Sequence, residues 1–147
     1  MTSNPGPVGA AAALCLFFIG APALAQTSVY RSVNAASGKP VRVRVVTNLK
    51  KDCTAGAPAE IKVVTTPKNG DLVIKNDKMK TPANFHCPNV ETAVQVVFYQ
   101  SRPKYVGTDE VALQVKTAEG ATQLINLKIT VSDKPAAAPK DKGGVDL

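Results

Sequence analysis

From residue 28 onward, apolar and polar side chains alternate along the chain in short runs. A period of two puts successive side chains on opposite faces of an extended backbone, so each run reads as a strand with one buried face. In Val41-Arg42-Val43-Arg44-Val45 the valines point one way and the arginines the other. The same reading holds for Ile61-Lys62-Val63, Val94 to Phe98, Val111 to Val115 and Ile125 to Val131. Two further strands are predicted at Ser28 to Val33 and at Leu72-Val73-Ile74. Asn69-Gly70 and Glu119-Gly120 are read as supplying the positive φ of tight turns, and Pro40, Pro67 and Pro103 fall at strand ends, where a missing N–H does no harm. No stretch of helical length carries a 3.6-residue apolar stripe beyond the first 25 residues. Seven short antiparallel strands in about 105 residues predict an all-β protein, a two-sheet sandwich rather than a closed barrel.

The segment Asn76 to Asn89 breaks the pattern and is read as an irregular loop. A loop of that length in a compact domain is either functional or tied down. It carries Lys78, Met79, Lys80, Phe85 and His86, which become the candidate recognition residues, and it contains Cys87.

The ends of the chain differ from its middle. Val8 to Ile19 is uncharged and almost wholly apolar, too short to span a bilayer, which takes roughly 20 apolar residues. Gly20 and Pro22 follow, then Ala23-Leu24-Ala25, the small-x-small pattern a signal peptidase reads. Residues 1–25 are therefore expected to be a signal peptide cut after Ala25, which makes the remainder periplasmic or secreted and soluble, with no membrane span. Cys15 follows Leu14 rather than a small residue, which argues against a lipid anchor. Residues 133–147 hold mainly Pro, Ala, Lys, Asp and Gly and cannot bury enough apolar surface to offset the entropy of ordering them. They are expected to form a disordered tail, leaving one domain over 26–132.

Lys and Arg number 18 against 11 Asp and Glu, a net charge of +7. Such an excess favours acidic partners through attraction that salt weakens. Few aromatic residues lie among the basic ones to stack on bases, and together with export this argues against nucleic acid. Removing the signal leaves two cysteines, Cys53 and Cys87, in a compartment that permits oxidation, and a disulfide is expected between them.

From Thr66 onward the chain resembles the bacterial immunoglobulin-like and cadherin-like modules found as tandem repeats in large surface proteins. The residues that carry the resemblance are Pro67-Lys68-Asn69-Gly70, Tyr99, Tyr105-Val106-Gly107-Thr108-Asp109, Val111 to Val115, Gly120 and Ile125 to Val131. It covers roughly half of the domain, and it implies an Ig-like sandwich without implying an activity. Ser101 stands where the family has Pro, and Val111 where it has an aromatic residue. In the Tyr105 to Asp109 motif, Gly107 is free to take a conformation closed to other residues, and Asp109 is placed to bond nearby backbone N–H groups.

Little in the sequence points to chemistry. His86 is the one histidine, so a zinc site of several histidines is impossible. Met79, His86 and Cys87 resemble part of a copper ligand set, which leaves a periplasmic metal or redox protein as the alternative reading. Asp109 and Glu110 are adjacent on a strand and point to opposite faces, so they do not readily share a calcium ion. Paired carboxylates, nucleophile elbows and phosphate-binding loops are missing, and no cofactor is expected. The function expected is a non-enzymatic binding module of the cell envelope that recognises another exported protein or an acidic envelope polymer.

Overall fold

The computed structural model describes residues 1–2 and 27–134, so the expected signal peptide and nearly all of the expected tail lie outside the described residues. Among the described residues there are seven strands and no helix. They are β1 (Thr27–Ala36), β2 (Pro40–Thr47), β3 (Glu60–Thr65), β4 (Gly70–Lys80), β5 (Glu91–Ser101), β6 (Gly107–Lys116) and β7 (Thr122–Ser132). One sheet has the order β1-β7-β6-β3 and the other β2-β5-β4. The order is that of an immunoglobulin sandwich whose first strand has moved to the sheet of the last.

The inward faces follow the predicted alternation most closely in β6 and β7. Val111, Leu113 and Val115 face the core from β6, and Ile125, Leu127, Ile129 and Val131 from β7. They close on Val43, Val46, Val97 and Tyr99 of the other sheet, and together form the main core.

Four expectations need correction. The strands are not all antiparallel: β1 runs parallel to β7 along its whole length, from Thr27 opposite Gln123 to Ala36 opposite Ser132. Direction is invisible in an alternation pattern, because a strand reads the same way along either course.

The arginines of β2 do not share a face. A bulge between Arg42 and Arg44 sets Arg42 opposite Phe98 and Arg44 opposite Val97. Phe98 and Val97 are neighbours on one strand and point to opposite faces, so the bulge turns Arg44 to the side of the core.

β4 extends to Lys80, pairing without interruption with β5 from Gly70–Ser101 to Lys80–Glu91. Lys78, Met79 and Lys80 are thus strand residues, and only 81–90 is loop. The polar run from Lys75 to Lys78 hid this strand because both of its faces are exposed there.

Gly70 does not take a positive φ. A Cβ at that position would lie 2.6 Å from both the Gln100 carbonyl oxygen and the Tyr99 ring, so glycine is needed for close approach rather than for a left-handed turn.

One end of the sandwich is locked by a buried carboxylate. Asp109 is 3% exposed, and it accepts hydrogen bonds from the backbone N–H of Lys68 (2.9 Å) and of Asn69 (2.9 Å) and from the Tyr99 hydroxyl (3.1 Å). The β3–β4 turn, β5 and β6 are joined through this one side chain. Beside it, the Tyr105 hydroxyl donates to the Thr108 carbonyl at 2.9 Å. Gly107, at φ 147°, leaves room for that hydroxyl, which would lie 2.8 Å from any Cβ there.

Candidate binding site at the loop end

Consecutive strands run in opposite directions, so the connections after β2, β4 and β6 gather at the end remote from Asp109. The β2–β3 connection (48–59) folds on itself through Leu49 and Ala55, with Gly56 N–H donating to the Asn48 carbonyl at 2.7 Å. Its tip is shaped by Asp52, whose carboxylate accepts from the Thr54 hydroxyl (2.6 Å) and the Thr54 N–H (3.0 Å). These bonds, the hydroxyl's first, hold the Asp52 carboxyl below the usual range. Cys53 sits at φ 66° in the same turn.

The β4–β5 loop (81–90) is organised by Thr81, which is almost fully buried. The Thr81 hydroxyl donates to the Cys87 carbonyl and accepts from the Val90 N–H at 2.9 Å. Its backbone N–H donates to the Val90 carbonyl at 2.8 Å, and its carbonyl accepts from Asn89 N–H at 3.1 Å.

The two loops are joined by the Cys53–Cys87 disulfide, with the Cα atoms 5.4 Å apart. Cys87 is fully buried and Cys53 is exposed. A ring nitrogen of His86 lies 3.4 Å from the Lys50 carbonyl and adds a polar link across the same junction. The Thr92 hydroxyl donates to the Asn48 side-chain oxygen at 2.6 Å, fixing the root of the first loop to β5.

The third connection, the β6–β7 turn (117–121), is the turn read at Glu119-Gly120, with Gly120 at φ 85°, but the sequence gives it no part in a site. It joins the cluster through Glu119, which accepts from the Lys51 N–H at 3.0 Å and pairs with the Lys51 ammonium at 3.8 Å. Both partners are exposed, so the ion pair orients the loops more than it stabilises them. Strand parity was the signal available for this turn: in a chain of reversing strands, every connection after an even-numbered strand ends at the same side.

Between the three connections lies a cleft of about 320 Å³. Buried Val46 and Val115 and the bulge-turned Arg44 line it together with Phe85, His86, Lys51 and Glu119. Phe85 is half-buried, its ring centroid 4.1 Å from that of His86. Apolar side chains, the Arg44 side chain and the Lys51–Glu119 ion pair thus share one lining.

The predicted recognition residues are therefore split. Phe85 and His86 stand at the cleft. Lys78 and Lys80 are exposed on β4, and Met79 packs against a second apolar cluster of Val45, Val94 and Val96 on the far face of the three-stranded sheet, where Phe98 also lies. That face is the reason β5 buries both of its sides. Met79, His86 and Cys87 do not converge as a metal site, because Met79 belongs to the outer cluster and the Cys87 sulfur is bonded to Cys53. Among the described residues, no group of three or more His, Cys, Asp or Glu is arranged to hold a metal ion. Asn69, Gly70, Tyr105, Gly107 and Asp109 all lie at the opposite end. Among the described residues, no helix is long and apolar enough to cross a membrane.

No protein-family model and no curated protein matches the sequence. Among solved structures, the chain is similar to amebosin at 9% identity, over 74% of this chain and 99% of that one, with a TM-score of 0.40. It is also similar to a cysteine protease inhibitor from Entamoeba histolytica at 11% identity, over 76% of this chain and all of that one, with a TM-score of 0.35. Likenesses of this size carry no argument about function.

Proposed function

We propose that this protein is an exported, non-enzymatic binding module, an Ig-like sandwich that grips a segment of another exported protein in the loop-end cleft. The observation that carries the reading is the convergence of three connections on one cleft, tied by a disulfide and an ion pair, with Phe85 and His86 presented at its edge. A preformed site of this kind binds without ordering loops at the moment of contact. The disulfide supports an oxidising compartment. The excess of basic residues assists encounter with an acidic partner surface. Inside the cleft, however, Glu119 balances Lys51, which favours a protein over an acidic polymer.

The test is a capture experiment with the full exported chain immobilised and an envelope extract passed over it at low and then high salt. A discrete protein should survive high salt. The Phe85→Ala/His86→Ala variant should lose it, and because Phe85 is half-buried the comparison is made well below the variant's own melting temperature, with His86→Ala alone, at an exposed residue, expected to cost within about 0.5 kcal/mol of stability. Retention of acidic polymers alone, released by salt, would overturn the protein-partner reading.

A further inference from the structure

Each sheet of the sandwich has two edges, and the four edge strands are unequally protected. β2 begins with Pro40 and carries the bulge between Arg42 and Arg44. β3 has six residues and a register shift between Val63 and Thr65. β1 lies on the flank where it approaches β2 of the other sheet. β4 has none of these protections: it runs for eleven residues with no proline and no bulge, and its second edge meets no strand among the described residues. A long regular edge offers its unpaired N–H and C=O groups as a template for another strand.

Side chains on β4 strengthen the case. Val73 is 48% exposed and Ile74 39%, two of the few large apolar residues left in solvent among the described residues. Charges flank them in the order Asp71, Lys75, Asp77, Lys78, Lys80. When a strand pairs antiparallel with its own copy, residues equidistant from the two-fold axis face each other. With the axis at Val73, Asp71 faces Lys75 twice, Leu72 faces Ile74 twice, and Val73 meets itself. With the axis at Ile74, Asp71 faces Asp77. Axes at Lys75, Asp77 or Lys78 place like charges on the axis itself. An axis at Leu72 pairs no charges, and one at Asn76 pairs Lys75 with Asp77 but sets Ile74 against Lys78. Only the Val73 register matches both charge and apolar surface.

We propose that β4 is a self-association edge, through which two copies of this chain pair antiparallel about a two-fold axis at Val73 and join their three-stranded sheets into one. Antiparallel pairing sends the two loop-end clefts in opposite directions, so the dimer presents two separate binding sites.

The test is sedimentation equilibrium of the full exported chain over about a hundredfold range of concentration. A monomer–dimer equilibrium is expected. Val73→Lys should weaken it about tenfold or more by setting two ammonium groups against each other on the axis, whereas Val106→Lys, at an exposed apolar site off this edge, should leave it unchanged. Register is read by charge exchange. Asp71→Lys and Lys75→Asp should each weaken the dimer about tenfold, and the double exchange should restore it to within about threefold of the parent. A chain that stays monomeric, or a dimer indifferent to Val73→Lys, overturns the proposal. A double exchange no better than either single change overturns the Val73 register.

Discussion

At the scale of single residues, the Asp109 carboxylate is buried and accepts hydrogen bonds on both of its oxygens. Its backbone partners at Lys68 and Asn69 and the Tyr99 hydroxyl replace the water it lost on burial, which is the condition for keeping a carboxylate inside a protein. Tyr99 responds in turn: burial first, and then the negative charge of Asp109, push its phenol well above the usual range. The folded state therefore holds the Tyr99 proton more tightly than the unfolded chain, whose tyrosines ionise near pH 10. This contribution to stability is complete below about pH 10 and is lost as pH rises toward the folded value. Urea midpoints should be level from neutral to mildly alkaline pH and then decline, and the decline should be shallower in Tyr99→Phe. That variant should also be less stable at neutral pH by about 1.5 to 3 kcal/mol, the scale of a hydrogen bond to a charged group. Parallel pH profiles for the two proteins would show that Tyr99 is not the titrating group.

At the scale of elements, the same reasoning applies to the 81–90 loop, whose course is set by one threonine. Thr81→Val keeps the shape of the side chain but leaves the Cys87 carbonyl and the Val90 N–H without the hydroxyl that serves both. A loss of about 1 to 3 kcal/mol in chemical denaturation is expected, against under about 0.5 kcal/mol for Thr66→Val at an exposed site. Equal effects from the two substitutions would mean that the bonds do not shape the loop. The segment that holds this loop also marks the limit of what alternation encodes. All seven strands were legible, because a half-buried strand writes its alternation into the chain. The second half of β4 was not, since a strand exposed on both faces writes nothing, and the β2 bulge was not, since one inserted residue leaves the valine-arginine alternation intact while reversing its faces. The site was half legible for the same reasons. Phe85, His86 and Cys87 lie in the segment that breaks the pattern, and Cys53 is found as the one cysteine left to pair with Cys87, whereas Arg44, Lys51 and Glu119 come from elements that look ordinary.

At the scale of the whole molecule, the two ends of the sandwich are closed by different chemistry. The Asp109 end is tied by hydrogen bonds to one buried carboxylate, and the loop end by a covalent link between residues 34 apart in sequence. A cross-link of that span stabilises by about 3 to 4 kcal/mol in the chain-entropy account, mainly by restricting the unfolded chain. Its local effect differs from its global one, because the β2–β3 loop is exposed over nearly all of 51–58 and has little apolar burial of its own to hold it. The Cys53→Ala/Cys87→Ala variant should therefore lose about that much unfolding free energy and, in addition, open locally at the loop end. Hydrogen exchange separates the two effects. The amides of Gly56 and Asn89, bonded within the loops, should lose more protection than those of Lys68 and Asn69, which Asp109 holds at the far end. A uniform loss of protection would make the disulfide a global staple with no special hold on the cleft. A selective loss would make the order of the binding site depend on an oxidising environment, so that partner capture should fail under reducing conditions that still leave the sandwich folded.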